Sequence, residues 1–289
     1  MRRMIGFALT ELLRVISILA LLAAVLFPVF ATAQEKTKQA TCASNLQQLG
    51  SAFAQYQHDY DGSMPTNLFP SGTSASTWAV GWANELYPYV KSSAVFACPE
   101  DAYIPASPYN QVSYAMNTNV MQAVTIPPAF TSVNPYAKLS NLTSPALTVL
   151  LFEVGRVNNV VLTDSTPAAG TADSPTGVAD SFFMNGYDLS CSDNQALYAT
   201  GQISPVSGHL LQTISTSDGI GARHAGASNF LAVDGHVKLL RPDQVSGGFT
   251  ASSAASAENP VFSYGDNAAG TANMQHQGGG VVTLTFSPV

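Results

Sequence analysis

The first 34 residues, MRRMIGFALTELLRVISILALLAAVLFPVFATAQ (1–34), decide what kind of fold this chain can adopt. After two arginines comes an apolar stretch from Phe7 to Phe30, in which only Glu11 and Arg14 are charged. As an α-helix rising about 1.5 Å per residue it would span about 36 Å, more than the roughly 30 Å hydrocarbon core of a bilayer. We therefore predict a membrane-spanning helix that crosses with some tilt.

The two charges do not prevent insertion. From Leu12 to Phe30 the chain has thirteen Leu, Ile, Val or Phe residues. They supply roughly −4 to −8 kcal/mol of insertion free energy, against about +3 kcal/mol for a charge at the bilayer centre. Glu11 and Arg14 lie near the start of the stretch, where they can pair at i,i+3 and the arginine can reach the interface. An ionisable residue inside a span indicates a functional site.

The string GFALTELL (6–13), after a short basic leader, resembles the type IV prepilin signature. The resemblance implies that a prepilin peptidase cuts between Gly6 and Phe7, and that the new Phe7 amine is methylated. It also implies that Glu11 attracts the amine of a neighbouring pilin subunit during assembly, and Pro28 matches a proline common in these helices. A carboxylate in a low-dielectric medium needs a cation, so this pairing would fix the axial register of subunits. Arg14 departs from the pattern and would compete for Glu11.

Two alternatives remain open for the N-terminus. Ala31-Thr32-Ala33 forms an A-x-A site and Val15–Phe30 could serve as its apolar region, which would make the protein a soluble exported binding domain cut after Ala33 by an ordinary signal peptidase. The protein could also be anchored permanently without processing. We favour prepilin-type processing because the Gly-Phe-x-x-x-Glu arrangement is present and because the helical pattern continues past Ala33.

The helical pattern continues beyond the apolar stretch as an amphipathic seam. Its apolar positions follow spacings of 4, 3, 4, 3 and 4, which is the pattern of one buried helix face: Cys42, Leu46, Leu49, Phe53, Tyr56 and Tyr60. The opposite face is predicted to carry Gln47, Gln48, Gln55, Gln57 and His58. Asp61-Gly62 and Pro65 are stop signals. We predict one assembly helix over residues 7–60, packed on a sheet of the same chain.

Residues 61–289 are predicted to form a β-rich globular body, because Gly, Pro, Ser and Asn separate many short β-like runs. Trp78–Val90 is predicted to be a short helix ended by Pro88, and Leu147–Val154 a strand. Residues 241–280 are predicted to be a long surface loop or insertion before a terminal strand, VVTLTF (281–286). The overall fold class is therefore α+β, pilin-like, with a long N-terminal helix on an antiparallel sheet.

The sharpest motif of the body is RHAGASNFLAVDGHVKLL (223–240). Two β-like runs flank Asp234-Gly235, which favours a hairpin over 229–240 with a two-residue type I′ turn. Nine residues separate His224 from Asp234, which resembles the H-x9-DG motif of a large bacterial prepilin-like family. Further segments resemble the same family: EKTKQATCASNLQQLG, DYDGSMP, LYPYVKSSAVFACP, SYAMN and SPALTVLL. The family, which is related to type II secretion pseudopilins, has a body of no known biochemical role. The resemblance therefore implies only architecture and location.

The three cysteines are Cys42, Cys98 and Cys191. Their spacing does not fit a zinc site, which needs close pairs. One disulfide with a spare thiol and three buried free thiols are both compatible with the sequence. We expect Cys42 to pair with Cys98, because Cys42 lies on the buried seam, Cys98 ends an apolar run, and the body lies outside the reducing cytoplasm.

Charge bounds the partners and the location. Charged residues make up 10% of the chain, against the about 25% typical of soluble proteins. Without Arg2 and Arg3 of the leader, nine basic residues stand against 18 acidic ones, a net charge of −9. We expect no nucleic-acid partner, because no basic cluster is present. The leader arginines favour a cytoplasmic N-terminus, and hence a single-pass inner-membrane protein whose body is periplasmic, or extracellular after assembly.

The sequence favours a structural role over an enzymatic one. It contains no G-x-S-x-G elbow, H-E-x-x-H motif or phosphate-binding glycine loop, so we predict no catalytic residue and no cofactor. A metal site at His224, Asp234 and His236 is conceivable. However, the turn already explains Asp234 and strand alternation explains His236, so we predict His224, Asp234 and Gly235 to be structural, without metal. Calcium near Asp59, Asp61 or the Asp-rich loops is the remaining alternative, which the resemblance to pseudopilins implies.

Overall fold

The computed structural model describes residues 9–65, 82–107, 109–121, 134–154, 162, 176–177, 223–241, 244–246, 251, 253–255, 270–272, 274 and 282–289. Within them the chain forms a very long N-terminal helix, a short second helix, a five-stranded sheet and a separate two-stranded pair. The sheet has four antiparallel strands, so the predicted α+β class is confirmed.

Helix α1 runs from Leu9 to Asp59 as one segment of 51 residues, with Pro28 inside it. It is long and apolar enough to cross a membrane, and its apolar N-terminal part is not buried by the rest of the protein. The second half packs on the body, burying most of the predicted seam. Two seam predictions are wrong. Tyr60 is 53% exposed, and Gln57 is buried with its Nε2 3.1 Å from Met64 Sδ.

The C-terminal end of α1 explains both exceptions. Asp61 and Gly62 adopt positive φ angles of 51° and 77°, and the Gly62 amide donates to the Gln57 carbonyl at 2.7 Å. This reverses the chain, so that Met64 folds back over the last turn of α1 and covers Gln57. Tyr60 stays outside and stacks on Tyr56 with 4.3 Å between ring centroids.

Helix α2 covers Trp82–Val90 and continues through Pro88, so the prediction that this proline ends the helix is wrong. The proline removes only one backbone donor. The helical hydrogen bonds continue after it, because the Lys91 amide donates to the Tyr87 carbonyl, four residues earlier, at 2.7 Å. Helix α2 packs on α1, where Trp82 stacks near Phe53 with ring centroids 6.0 Å apart. A 3₁₀ turn over Ser93–Phe96 follows.

The main sheet has the strand order β3-β1-β2-β4-β5. Its strands are β1 (Tyr114–Asn117), β2 (Val149–Glu153), β3 (Thr176–Gly177), β4 (Ser228–Ala232) and β5 (Val237–Leu240). Strands β1, β2, β4 and β5 pair antiparallel, whereas β3 joins the β1 edge in parallel. The strand predicted over Leu147–Val154 is thus present as β2. The predicted hairpin is present as β4 and β5.

The two faces of the sheet are covered by different parts of the chain. Phe152 and Phe230 are register partners and share a face, where both meet Phe286 of the C-terminal segment, edge to face. Leu231 follows Phe230 and therefore points to the other face, toward α1. It packs closely against Gly50 of that helix, where an added Cβ would lie only 3.1 Å from Leu231 Cδ1. Since side chains alternate along a strand, Glu153 lies on the α1 side together with Leu151.

The turn of the hairpin differs from its prediction. The Gly235 amide donates to the Ala232 carbonyl at 3.0 Å and the Ala232 amide donates to the His236 carbonyl at 2.9 Å. Gly235 has φ +92°, but Asp234 does not have a positive φ. The connection is therefore a three-residue loop with a glycine bulge and not a two-residue type I′ turn.

The segment predicted as a long surface loop or insertion, 241–280, contains a short strand, β6 (Val245–Ser246). This short strand pairs in parallel with β7 (Leu284–Thr285), which lies in the predicted terminal strand. Val245 and Leu284 are fully buried, so apolar burial holds the pair together. Thr285 also bridges Thr148, which fixes β7 next to the start of β2.

Candidate functional site

The N-terminal half of α1 presents a long apolar surface. Its large apolar side chains, from Leu9 to Phe30, are between 48% and 80% exposed. Soluble monomers rarely expose continuous apolar patches of this kind, so such a surface indicates a lipid or protein partner. Glu11 and Arg14 lie on this exposed half, whereas the predicted processing residues Gly6 and Phe7 lie outside the described residues.

The first buried residue of α1 is Cys42, and it is bonded to Cys98. The two cysteines are 56 residues apart in sequence, with 4.9 Å between their Cα atoms. These are the cysteines of the predicted pair, while Cys191 lies outside the described residues. On the same helix Asn45 donates its Nδ2 to the Ala97 carbonyl at 2.8 Å. Covalent and polar contacts thus attach α1 to the segment that follows the 3₁₀ turn.

A buried polar cluster lies next to this disulfide, centred on Glu153 at the end of β2. The Glu153 carboxylate is fully buried and has three polar contacts with protein nitrogen atoms. Its Oε2 accepts from the Asn229 amide at 3.1 Å, its Oε1 accepts from Asn229 Nδ2 at 2.9 Å, and its Oε1 is 3.0 Å from His224 Nε2. A buried carboxylate is tolerated only when it is paired and hydrogen-bonded in this way.

His224 sits between two carboxylates. Its side chain is fully buried, with Nε2 toward Glu153 and Nδ1 3.6 Å from Oε1 of Glu35 on α1. A tight turn holds it there: Ala225 and Gly226 have φ of 51° and 89°, and His224 and Ala227 exchange backbone hydrogen bonds. Positive φ at both central residues is what a type I′ turn requires. The primed turn is therefore at this end of β4, and not at Asp234-Gly235.

This geometry explains the spacing of the H-x9-DG motif. The two turns of the motif lie at opposite ends of β4. His224 meets α1 at Glu35, and Gly235 meets α1 at Gly50, where a Cβ would lie 3.6 Å from the Gly235 Cα. The nine intervening residues are thus the length of chain needed for β4 to run along this part of α1.

A second buried ion pair lies beside the cluster. Arg223 donates from one terminal nitrogen to the Val154 carbonyl at 2.6 Å, and the same nitrogen is 3.5 Å from Asp101 Oδ2. Asp101 also accepts from the Ser113 hydroxyl at 2.7 Å. Both charged side chains are nearly buried, at 7% and 6% exposure. The pair links the turn before β4 to the segment just after Cys98.

Tyr114, the buried tyrosine of β1, lies close enough to Glu153 for that charge to affect its pKa. Tyr114 donates its hydroxyl to the Cys42 carbonyl at 3.3 Å. Burial raises the pKa of Tyr114 above its ordinary value, and the nearby Glu153 carboxylate raises it further. The phenol therefore stays protonated and acts as a fixed donor to α1.

The metal site considered at His224, Asp234 and His236 does not form. Asp234 contacts His236 at the exposed turn, whereas His224 lies at the other end of β4. The structure instead gathers Cys42, Cys98, Glu153 and His224, whose donor atoms lie within 4.8 Å of one another. At Asp59, which was considered as a calcium ligand, one carboxylate oxygen contacts Tyr89 and the other contacts His58.

Sequence reasoning missed Glu153, Glu35, Asp101 and Arg223. One signal was present for Glu153: it is the only charged residue in the run LTVLLFEV, whose other members are all apolar or Thr. A lone carboxylate in a buried strand indicates a paired site. Arg223 directly precedes the motif histidine, but no spacing connects it with Asp101.

The comparisons with known proteins bear on the first part of the chain. No curated protein and no solved structure matches it. A family model does match residues 31–127, about a third of the chain, from the middle of α1 to just past β1. This region includes both disulfide cysteines and Asp101, but not His224. Over these residues the chain is similar to a family described as "Protein of unknown function (DUF1559)".

Proposed function

We propose that this protein is a structural subunit of a type IV pilus-like or type II secretion pseudopilus-like assembly, without enzymatic activity. The observation that carries the proposal is the division of α1. One unbroken helix has an exposed apolar half and a half that is packed into a folded body. Such a helix anchors the subunit in the membrane and offers the same apolar surface to neighbouring subunits in a filament.

The charges at the start of α1 support the assembly step. Glu11 lies in the apolar half, where a carboxylate is costly and a cation at the same depth offsets the cost. The terminal amine of a neighbouring subunit, freed at Phe7 by cleavage after Gly6, supplies that cation. Prepilin peptidase and like or related pilin subunits are therefore the proposed partners.

The alternative cut after Ala33 fits the contacts less well. Ala33 lies inside α1, where its carbonyl accepts from the Thr37 hydroxyl at 2.9 Å. Cleavage there would make Gln34 the first residue and leave Glu35, which faces His224, in the fraying first turn of a shortened helix. An intact α1 instead holds Glu35 in the middle of the helix.

Intact mass of the mature protein tests the proposal. We expect a mass that begins at methylated Phe7, whereas a mass beginning at Gln34 or at Met1 would reject it. Two matched variants sharpen the result. Gly6→Val should leave an unprocessed precursor, because a bulky residue blocks the peptidase. Ala33→Val, on the exposed part of α1, should be processed normally. The opposite pattern would establish the signal-peptidase cut.

A further inference from the structure

Four potential metal ligands meet where α1 joins the body. Cys42 comes from α1, Cys98 from the segment after the 3₁₀ turn, Glu153 from the end of β2, and His224 from the turn before β4. All four are buried, and their donor atoms lie within 4.8 Å of one another. His224 Nε2 is 3.0 Å from Glu153 Oε1 and 3.9 Å from Cys98 Sγ.

These separations suit one small cation. Bonds of 2.0–2.3 Å in a tetrahedral zinc site place neighbouring ligand atoms roughly 3.3–3.8 Å apart. The nitrogen-to-oxygen and nitrogen-to-sulfur distances bracket that range. The two sulfurs are bonded to each other in the structure and so cannot act as thiolate ligands. We propose that, when the Cys42–Cys98 disulfide is reduced, these four residues bind a single Zn²⁺ ion.

The surroundings of the histidine and the glutamate support a metal site. His224 Nδ1 is buried and has no hydrogen-bond partner among the described residues, but it lies 3.6 Å from Oε1 of Glu35. Metal-binding histidines commonly direct their second nitrogen at a carboxylate, which fixes the ring and raises its basicity. Asn229 holds Glu153 through both its backbone and side-chain nitrogens. The outer contacts of a zinc site are therefore in place.

Reduction of the disulfide and binding of zinc replace one link between α1 and the body by another. A dithiol reductant supplies two electrons and two protons, so the Cys42–Cys98 bond breaks, both cysteines become thiols, and the reductant closes to its own disulfide. Zn²⁺ then displaces the two thiol protons to solvent and binds both thiolates. Each state joins α1 to the body at the same point, by a covalent bond in one and by a metal ion in the other.

Metal counting on the full-length protein in detergent tests the proposal. The oxidised protein and protein reduced anaerobically with a phosphine, which unlike a dithiol does not compete strongly for zinc, are mixed with Zn²⁺ and desalted. Mass spectrometry of the metal should find one zinc per chain in the reduced protein and none in the oxidised one. Equal zinc in both samples, or none in either, would overturn the proposal.

Cobalt and single variants identify the ligands. Co²⁺ bound to the reduced protein should show sulfur-to-cobalt charge-transfer bands and the strong visible bands of a four-coordinate site. An octahedral spectrum would overturn the proposal without any mutation. His224→Gln and Glu153→Gln should each weaken zinc binding by at least tenfold, with circular dichroism checking the fold.

Two control variants match these changes. Cys191→Ser and His58→Gln should bind zinc like the parent protein, since His58 is exposed and Cys191 is not one of the four ligands. If either control abolished binding, or if His224→Gln and Glu153→Gln both bound zinc with unchanged Kd, the assigned ligand set would be wrong.

Discussion

Glu153 is fully buried in a strand whose other residues are aliphatic or aromatic, and this placement has a cost. Contacts with Asn229 and His224 offset the cost of burying its carboxylate, so the three residues form one unit and not three independent contacts. Removing one member leaves the others buried without partners, which costs more than the lost hydrogen bond itself.

Glu153→Ala should therefore lower the free energy of unfolding by about 3–5 kcal/mol. Urea unfolding followed by circular dichroism measures the loss. Glu100→Ala is the control, because Glu100 pairs with the half-exposed Lys38 at 3.0 Å, and such a pair contributes about 1 kcal/mol or less. A loss at Glu153 no greater than that at Glu100 would show that the buried cluster adds no stability.

Gly235 shows how far a local motif can be trusted. The Asp-Gly pair correctly predicted a hairpin and a glycine with positive φ, but not the number of residues in the loop. That number depends on the register of β4 against β5, which is set by tertiary contacts such as that between Leu231 and α1. Turn residues favour a small set of turns, and packing selects among them.

Gly235→Val should destabilise the body by roughly 1 kcal/mol or more, through the backbone alone. A Cβ at this position meets no atom within 4 Å, so the cost comes from the φ of +92° and not from a clash. Gly235→Asn is the matched variant, because asparagine tolerates positive φ better. Thermal melting should rank the stabilities as Gly, then Asn, then Val. Equal melting temperatures would remove the argument from backbone strain.

At the scale of elements, α1 was predicted to within one residue of its C-terminal end, because its periodicity is strong and its stop signals are local. The strands β2 and β4 were equally visible as short apolar runs between turn residues. The misplaced residues Gln57 and Pro88 were not predictable in this way. Gln57 is covered by a segment after the turn, and Pro88 sits in a last helical turn that α1 packing sustains.

Glu11→Ala should leave membrane insertion intact while reducing filament yield. The change removes a charge from the apolar half of α1, so insertion becomes easier, but the cation of a neighbouring subunit loses its partner. Membrane fractionation and the yield of sheared filaments measure the two effects separately.

Arg14→Val is the informative companion. If Arg14 competes for Glu11, removing it should raise filament yield above that of the parent protein. Unchanged yield in both variants would exclude charge pairing as the basis of assembly.

The contact between α1 and α2 gives a prediction about pH. The Tyr89 hydroxyl donates to Asp59 Oδ2 at 2.9 Å, and together with His58 it lowers the pKa of Asp59 below its ordinary value. The contact therefore stabilises the fold above the ordinary carboxyl pKa, and the stabilisation is lost as the pH falls through the lowered value. Burial, followed by the bond to Asp59, raises the pKa of Tyr89 to about 12. The stabilisation is thus also lost as the pH rises through that value.

Tyr89→Phe should return the pKa of Asp59 toward the ordinary carboxyl range, and NMR titration of the Asp59 side chain measures the change. Tyr103→Phe is the control, because the contact of Tyr103 with Asp101 uses its backbone amide and not its hydroxyl. An Asp59 pKa that is the same in Tyr89→Phe and in the parent would mean that the hydroxyl does not hold the carboxylate in solution.

At the scale of the whole molecule, sequence reasoning predicted the layout but not the buried cluster. A long helix, an antiparallel sheet and a hairpin each follow from patterns within some tens of residues. The cluster and the ion pair beside it bring together Glu35, Asp101, Glu153 and His224, which are far apart in the chain and lie in unrelated local patterns. Only the way α1 crosses the sheet brings them together, and no spacing in the sequence encodes that crossing.

The Cys42–Cys98 disulfide should contribute about 4 kcal/mol to the free energy of unfolding by the loop-entropy estimate for a separation of 56 residues. Replacing both cysteines by alanine, in the presence of a chelator, should lower the melting temperature accordingly. Cys191→Ser is the control and should melt like the parent protein. If the double variant melted like the parent as well, the bond would not constrain the unfolded chain.

The position of this disulfide also determines how α1 transmits mechanical tension to the body. In the proposed filament, tension pulls on the N-terminal end of α1, and about 50 Å of helix separates Leu9 from Cys42. The sulfur–sulfur bond from Cys42 to Cys98 is a covalent path for this force into the body, so the loop between the two cysteines bears no tension. Pulling single molecules by their ends should therefore show a shorter extension than for reduced, metal-free molecules, which release 56 further residues, or about 190 Å of contour length.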